Sequence, residues 1–340
     1  MIKWGIIGLG KIADQFATSL QEVNNSELIA ISSSKQKKLN YFGKKYKIKN
    51  NYRFTNYENL LKCKDVNVIY IATVNKSHFD IIIKSIKHEK NILCEKPVTI
   101  NTVEINKIIQ KLKEKKLFFS EAMYYRFHPQ TKILIDTIKS GEIGRILYAD
   151  IEFGFAVSKF LQFFSPNNRL FDKVGGGTIL DTGCYCTSFA LLLAKLCNEV
   201  PDKINFKITD VSITKNRKKV EDFATAKVVF ENGFEANLKT SFRMKMNNEL
   251  IICGTEGNIK ISNPWFPDRV SVLEIQNNFK KYQKVINSNH TSRVNIINIV
   301  SNLIKKKQIE AQFPFMSWTD TVDNMKIIDE WKRVGSKKLD

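Results

Sequence analysis

Gly8, Gly10 and Ala13 are spaced as G-x-G-x-x-A, between a short apolar run at residues 3–7 and a helical pattern that continues to about residue 22. Small residues at that spacing, at the joint of a strand and a helix, suit a pyrophosphate. The first glycine permits the tight turn and the second lets phosphates reach the backbone. The small third residue lets the helix pack closely, with the phosphate charge on the helix N-terminus. Gly8, Gly10, Lys11 and Ile12 are the expected cofactor contacts of a dinucleotide. A glycine-rich turn that holds no ligand has the same sequence, so the loop alone leaves that alternative open.

The second strand tests which dinucleotide. An NAD-preferring site places an acid at its end, about twenty residues on, to hold the ribose hydroxyls. Here that region reads Ile31-Ser32-Ser33-Ser34-Lys35, with Lys37 and Lys38 behind it and no carboxylate. Hydroxyls and ammonium groups suit a 2′-phosphate, so NADP is the expected cofactor, held by Ser33, Ser34 and Lys35, with NAD as the alternative. The same lysines would also serve as a solvated helix start in a lysine-rich chain.

These residues need a frame that brings strand ends together. Residues 1–120 alternate strand and helix signals: strands at 3–7, 28–32, 66–73, 91–94 and 118–120, helices at 11–22, 59–63, 79–88 and 103–116. Alternation of this kind predicts a parallel sheet with right-handed crossovers. From residue 121 the pattern changes to a few helices and then strands at 146–155, 204–215, 224–230, 234–242, 249–254, 258–262 and 269–274, separated by turns such as Glu231-Asn232-Gly233. The expected fold class is α/β. An N-terminal Rossmann parallel sheet (1–120) binds the cofactor, and a C-terminal α+β domain (121–340) with a large open antiparallel sheet serves substrate and oligomer contacts. A last helix at 318–334 sets Val322, Met325, Ile328 and Trp331 along one face.

Composition bounds the partners. Lys and Arg number 54 against 34 acids, a net charge of +20, so a nucleic-acid ligand has to be weighed. Only nine of the 54 are Arg, the residue whose planar fork suits phosphates and base edges, and the rest is lysine mixed with Asn and Ile. No nucleic acid is expected. No apolar run approaches the ~20 residues of a membrane helix, and the N-terminus enters a strand directly, so neither a membrane nor secretion is expected. Six scattered cysteines without paired spacing suit a reducing compartment, which places the protein in the cytoplasm. The four histidines (78, 88, 128, 290) lack zinc-site spacing, and no metal is expected.

Three further segments carry a family resemblance: Ile71-Ala72-Thr73-Val74-Asn75-Lys76-Ser77-His78 after a strand, Cys94-Glu95-Lys96-Pro97, and Gly175-Gly176-Gly177-Thr178-Ile179-Leu180-Asp181-Thr182-Gly183-Cys184-Tyr185. With the N-terminal loop, the chain resembles the glucose-fructose oxidoreductase/inositol dehydrogenase/MocA family over nearly its whole length. The stretch from Glu121 to Gln130 and the Tyr185-Cys186 pair resemble its branch of NADP-linked xylose dehydrogenases and dimeric trans-dihydrodiol dehydrogenases. The resemblance implies a Rossmann domain followed by a domain whose open sheet often forms a dimer interface. It also implies reversible hydride transfer between the nicotinamide and a carbinol carbon of a sugar or related cyclic polyol.

The resemblance also assigns residues. Lys96 of the E-K-P segment lies, in the family, between nicotinamide and substrate, where its ammonium would steady the reacting oxygen. Tyr185 is the expected proton-transfer residue, since a free phenol of pKa ~10 becomes a useful base beside a cation. Many relatives have His there. Asp181, one helical turn before Tyr185, would orient the substrate hydroxyl or the lysine, although a lone Asp beside a glycine-rich turn is as readily an N-cap. Thr73, Asn75, His78 and Glu95 are expected on the cofactor side, with a helix-start role open for His78. Glu121, Tyr125, Arg126 and His128 are expected along the substrate cleft, Arg126 being equally suited to a structural ion pair. Phe160, Phe163 and Phe164 would stack on a substrate ring or belong to the core. The alternative from another class is a non-catalytic nicotinamide-binding sensor of the same fold, against which Lys96, Asp181 and Tyr185 speak.

Overall fold

The computed structural model describes residues 1–158, 168–197 and 204–337. They divide into two compact units, one of Met1–Thr99, Val103–Phe127 and His290–Thr321, the other of Ile100–Thr102, His128–Asn289 and Val322–Asp340. The split at residue 120 expected from the sequence is therefore too simple. The first unit runs to Phe127 and takes back a segment from near the C-terminus.

The first unit holds a six-stranded parallel sheet. Its strands are β1 (Ile2–Ile7), β2 (Ser26–Ser32), β3 (Arg53–Phe54), β4 (Val68–Ile71), β5 (Asn91–Cys94) and β6 (Phe119–Glu121), in the order β3-β2-β1-β4-β5-β6. Order reverses between β1 and β4, the switch point at which loops diverge and ligands bind in such sheets. Strand β4, Val-Ile-Tyr-Ile, is buried at every position, as a parallel strand covered on both faces must be. Helices α1 (Lys11–Leu20), α2 (Gln36–Lys45), α3 (Tyr57–Leu61), α4 (His78–Lys87) and α5 (Thr102–Lys115) cover it. On α1, Ala13, Phe16, Ala17 and Leu20 are buried at helical spacing, and the Phe16 ring stacks on Tyr70 of β4 at 3.7 Å between centroids.

Residues 292–305, where no helix was expected, form a helix that buries Val294, Ile296, Ile297 and Val300 in the core of this unit beside Trp4, Phe16 and Tyr70. The run is rich in Val, Ile and Asn, which favour helix weakly. Packing and the Thr291 hydroxyl cap at its start compensate.

The second unit holds helix α6 (Pro129–Lys139), strand β7 (Ile146–Gly154), helix α7 (Cys184–Leu196) and then strands β8 (Phe206–Lys215), β9 (Glu221–Phe230), β10 (Glu235–Ser241), β11 (Leu250–Gly254), β12 (Gly257–Ile261), β13 (Val270–Asn277) and β14 (Lys281–Asn287). The helix at 292–305 is α8 and Trp318–Lys337 is α9. The eight strands are ordered β14-β13-β12-β11-β7-β10-β9-β8. The large antiparallel sheet expected here is present with one exception: β10 pairs parallel with β7, Glu235 opposite Tyr148 through Ser241 opposite Gly154. The chain leaves β7, crosses by α7 and returns through the β8–β9–β10 meander, so a mixed sheet results. Strand β14 was also not foreseen; its lysines and exposed alternate positions are those of a sheet edge.

One face of this sheet is the core. On β9, residues 222, 224, 226, 228 and 230 are buried while their neighbours are half-buried. Residues 184–195 of α7 are all buried. Ile179–Leu196 is long and apolar enough to cross a membrane by composition, but 94% of it is buried inside this unit, as an all-round apolar core helix must be. Met325, Ile328 and Trp331 of α9 are buried as their spacing predicts, and the Trp331 indole donates to the Thr225 carbonyl.

Candidate functional site

In the first unit the carboxyl ends of β1, β4 and β5 lie side by side, so the loops that follow them share one edge of the sheet. Gly8 turns the chain out of β1 at φ +92°, and a Cβ there would fall 2.7 Å from the Ala72 carbonyl oxygen. Only glycine fits both conditions. Gly10 differs: its φ is −99° and an added Cβ would meet no atom within 4 Å. The space over Gly10 is open, and α1 begins at Lys11 without a side-chain cap. Exposed Lys11 and Ile12 follow, and Ala13 is fully buried. An open backbone face ahead of uncapped N–H groups fits the pyrophosphate of a dinucleotide.

Ser33 follows β2, donating its N–H to Phe54 and accepting from Lys35 N–H at 3.2 Å. Ser34, Lys35, Lys37 and Lys38 are exposed. Helix α2 starts there with no side-chain cap and no acid in its first turn.

After β4, Thr73 accepts from the Ser77 hydroxyl at 2.9 Å and Asn75 is buried. His78 is fully buried at the start of α4, with Nδ1 3.0 Å from the Pro97 carbonyl oxygen and Nε2 3.2 Å from that of Thr73. Burial brings its pKa down to about 4, so the ring is neutral at ordinary pH. Its ring ties the loop after β4 to the one after β5.

That second loop carries Glu95, half-buried Lys96 and Pro97, with a cis Lys96–Pro97 bond. Glu95 Oε1 accepts from the Tyr124 hydroxyl at 2.6 Å and from that of Tyr70. Burial, then the Glu95 charge, holds both phenols well above their usual range. Glu121 ends β6 opposite Cys94 and accepts the Val98 N–H at 3.0 Å. Tyr125 and Arg126 lie in the turn after β6, both buried. The Arg126 guanidinium donates to the Tyr125 hydroxyl and to the Pro314 carbonyl.

The second unit places the glycine-rich segment. Gly177, at φ +93°, leads into a π-helical turn over Ile179–Gly183 that runs on into α7. The turn is wider than the α-helical spacing on which Asp181 and Tyr185 would share a face, and it shifts the side chains that follow it. The hydroxyls of Thr178, Thr182 and Thr240, all buried, bond to one another beneath the turn and fasten it to β10. Asp181 is buried and accepts from Arg169 Nη1 at 2.7 Å. Tyr185 is buried, its ring 5.3 Å from Phe153, 5.9 Å from Trp265 and 5.7 Å from Phe266. Phe266 is 44% exposed, the open member of this wall. Cys184 and Cys186 are buried thiols, that of Cys184 donating to the Asp181 carbonyl.

Some expectations change here. His128 caps α6, its Nδ1 accepting from Gln130 N–H. Phe160, Phe163 and Phe164 lie outside the described residues. The aromatic wall of Phe153, Trp265 and Phe266 was not anticipated, because residues from β7 and from beyond β12 meet only through the sheet. Arg169 was not anticipated either, since no spacing signal links it to Asp181.

Comparison with known proteins decides the family. Residues 2–123 match the oxidoreductase family, NAD-binding Rossmann fold, of the GFO/IDH/MocA group, and residues 133–260 match the GFO/IDH/MocA C-terminal domain. The chain belongs to the GFO/IDH/MocA oxidoreductases. The trans-1,2-dihydrobenzene-1,2-diol dehydrogenase of Mus musculus is 29% identical over 275 residues, 80% of this chain and 78% of the relative. That of Xenopus tropicalis is 26% identical, covering 79% and 78%. Among solved structures, a 3-ketoreductase from Actinomadura kijaniata in complex with TDP-benzene and NADP shares the fold at TM-score 0.82 and 20% identity, over 97% of this chain and 96% of that one. An aldose-aldose oxidoreductase from Caulobacter crescentus shares it at TM-score 0.85 and 18% identity, over 99% and 98%. This GFO/IDH/MocA protein is an enzyme with an NAD(P)-binding domain.

Proposed function

We propose that the protein is an NADP-dependent oxidoreductase that moves a hydride between the nicotinamide and a carbinol or carbonyl carbon of a sugar, a sugar derivative or a related cyclic diol or polyol. The Lys96 turn carries this reading. It is fastened by His78 through the Pro97 carbonyl and by Glu121 through the Val98 N–H, at the sheet edge that also presents Gly8 and Gly10.

When bound, the cofactor supplies or takes up the hydride. The phosphates would be held at Gly8, Gly10, Lys11 and Ile12, the 2′-phosphate by Ser33, Ser34 and Lys35, and the nicotinamide end by Thr73, Asn75 and Glu95, while fully buried His78, expected as a contact, instead fixes the loop behind them. The uncapped, acid-free start of α2 supports a 2′-phosphate there. Lys96 donates a hydrogen bond to the reacting oxygen, Tyr185 moves the hydroxyl proton, and Asp181, held by Arg169, orients the hydroxyl. Tyr125 and Arg126 complete the substrate side. The aromatic wall beside Tyr185 supports a substrate with a ring, and relatives named for a dihydrobenzenediol point the same way.

The reading extends to assembly and place. The open face of the eight-stranded sheet has a groove of about 440 Å³ lined by Asp150, Glu152, Glu249, Lys227 and Lys239. Charges of both signs on one patch suit a twofold contact between copies, and light scattering would read a dimer. The six free thiols suit a cytoplasmic enzyme.

The test is a panel of aldoses, inositols and trans-1,2-dihydrobenzene-1,2-diol with NADP or NAD, read by absorbance of the reduced cofactor. Lys96→Ala and Tyr185→Phe should each lower kcat by roughly 10²–10⁴-fold on a responding substrate. Undiminished turnover in both would overturn the mechanism, and cofactor binding without turnover of any substrate would favour a sensor.

A further inference from the structure

Glu121 is a carboxylate where a carboxylate is costly. It is 1% exposed, and Oε1 accepts the Val98 N–H while Oε2 is buried without a well-formed hydrogen bond. An uncompensated buried charge costs several kcal/mol, so a group of this kind persists where its charge is used or where it stays protonated. Its neighbours identify the use. Glu121 sits one strand across from Cys94, where the Lys96 turn begins, and bonds to Val98, where that turn ends.

We propose that Glu121 is the positioning residue of the Lys96 turn, a buried carboxyl that fixes the turn's backbone and, when ionised, is the counter-charge of the Lys96 ammonium. The proposal rests on the reading of Lys96 given above for its catalytic consequence, but not for the electrostatic link itself. The groups facing Glu121 are Lys96 and Cys94 from β5 and its turn, Arg126 from the turn after β6, and the Thr321 hydroxyl from α9. Asp320, the residue before Thr321, is buried and accepts from Ser317. Burial pushes the Glu121 carboxyl up to about 7, against the pull of the Val98 N–H and the Lys96 and Arg126 charges. Its charge therefore switches near neutral pH. Above the switch the ammonium is held by an anion; below it, the hydrogen bond to Val98 is the remaining tie.

The test reads Lys96 without turnover. Reductive methylation with formaldehyde, quantified on the Lys96 peptide by mass spectrometry, follows the neutral amine. In Glu121→Gln the amide oxygen still accepts from Val98 but no counter-charge forms. Lys96 should then be methylated at the wild-type rate about one pH unit below 7, and about threefold or more faster one unit above it. An unchanged ratio across that range overturns the proposal. If the variant does not fold, the wild type is followed over the same range: a break in the Lys96 rate near 7 is expected, and a featureless rise overturns it. With a responding substrate, Glu121→Gln should lower kcat about tenfold with little change in KM. If Lys96→Ala leaves turnover intact, the catalytic reading of Lys96 fails while the labelling result stands.

Discussion

Arg169 Nη1 lies 2.7 Å from Asp181 Oδ1, pairing a guanidinium that is 52% exposed with a carboxylate that is 6% exposed. One partner is fixed within the unit and the other reaches it from the surface, so the pair sets the direction of the carboxylate more than it stabilises the fold. Arg169→Ala should lower kcat/KM by about tenfold with only a small drop in melting temperature. A double-mutant cycle with Asp181→Asn, read on kcat/KM, should show coupling. Simple additivity of the two losses would mean that the pair does not act as a unit.

Gly8 and Gly10 should fail in different ways. An alanine at Gly8 would be strained at φ +92° and crowd the Ala72 carbonyl, so Gly8→Ala should lose both stability and cofactor affinity. An alanine at Gly10 meets open space, so Gly10→Ala should melt as the wild type does yet bind cofactor about tenfold or more weakly, its methyl occupying the approach of the phosphates. Thermal melts with and without NADP, together with titration of reduced-cofactor fluorescence, separate the two.

His78 gives a pH signature. Its folded pKa of about 4 lies below the ordinary 6.5, so the native state binds the proton less well than the unfolded chain. Its contribution to stability is therefore full above 6.5 and is lost as the pH falls from there through about 4. The stability difference between wild type and His78→Gln, measured by urea unfolding, should shrink over that interval. A difference that stays constant would remove the buried neutral histidine from the account.

Cofactor preference should follow the start of α2. Replacing Lys35 with Glu puts an acid where ribose hydroxyls prefer one and a 2′-phosphate is repelled. The ratio of kcat/KM for NADP over NAD should fall by about tenfold or more. An unchanged ratio would place the 2′-phosphate contacts elsewhere.

The parallel sheet was legible because its strands are short apolar runs between amphipathic helices, and the phosphate loop because only small residues fit there. Periodicity sufficed for both. It failed for α8, whose β-branched residues become helical only when packed beside Trp4 and Phe16. It also failed for the parallel β7–β10 pair, since strand direction depends on how the chain returns to the sheet, and β10 carries the same alternating pattern either way.

The site divides along the same line. Sequence by itself determined the residue types that chemistry demands: glycines at a phosphate loop, a lysine before a proline, an Asp and a Tyr four apart. Spacing along the chain encodes local geometry, and these motifs are local. Only the tertiary structure decided their company: Arg169 on Asp181, the aromatic wall on Tyr185, His78 and Glu121 on the Lys96 turn. Those partners come from 12 or more residues away in the chain, and burial, which gives their charges and hydrogen bonds most of their strength, exists only once the core has closed.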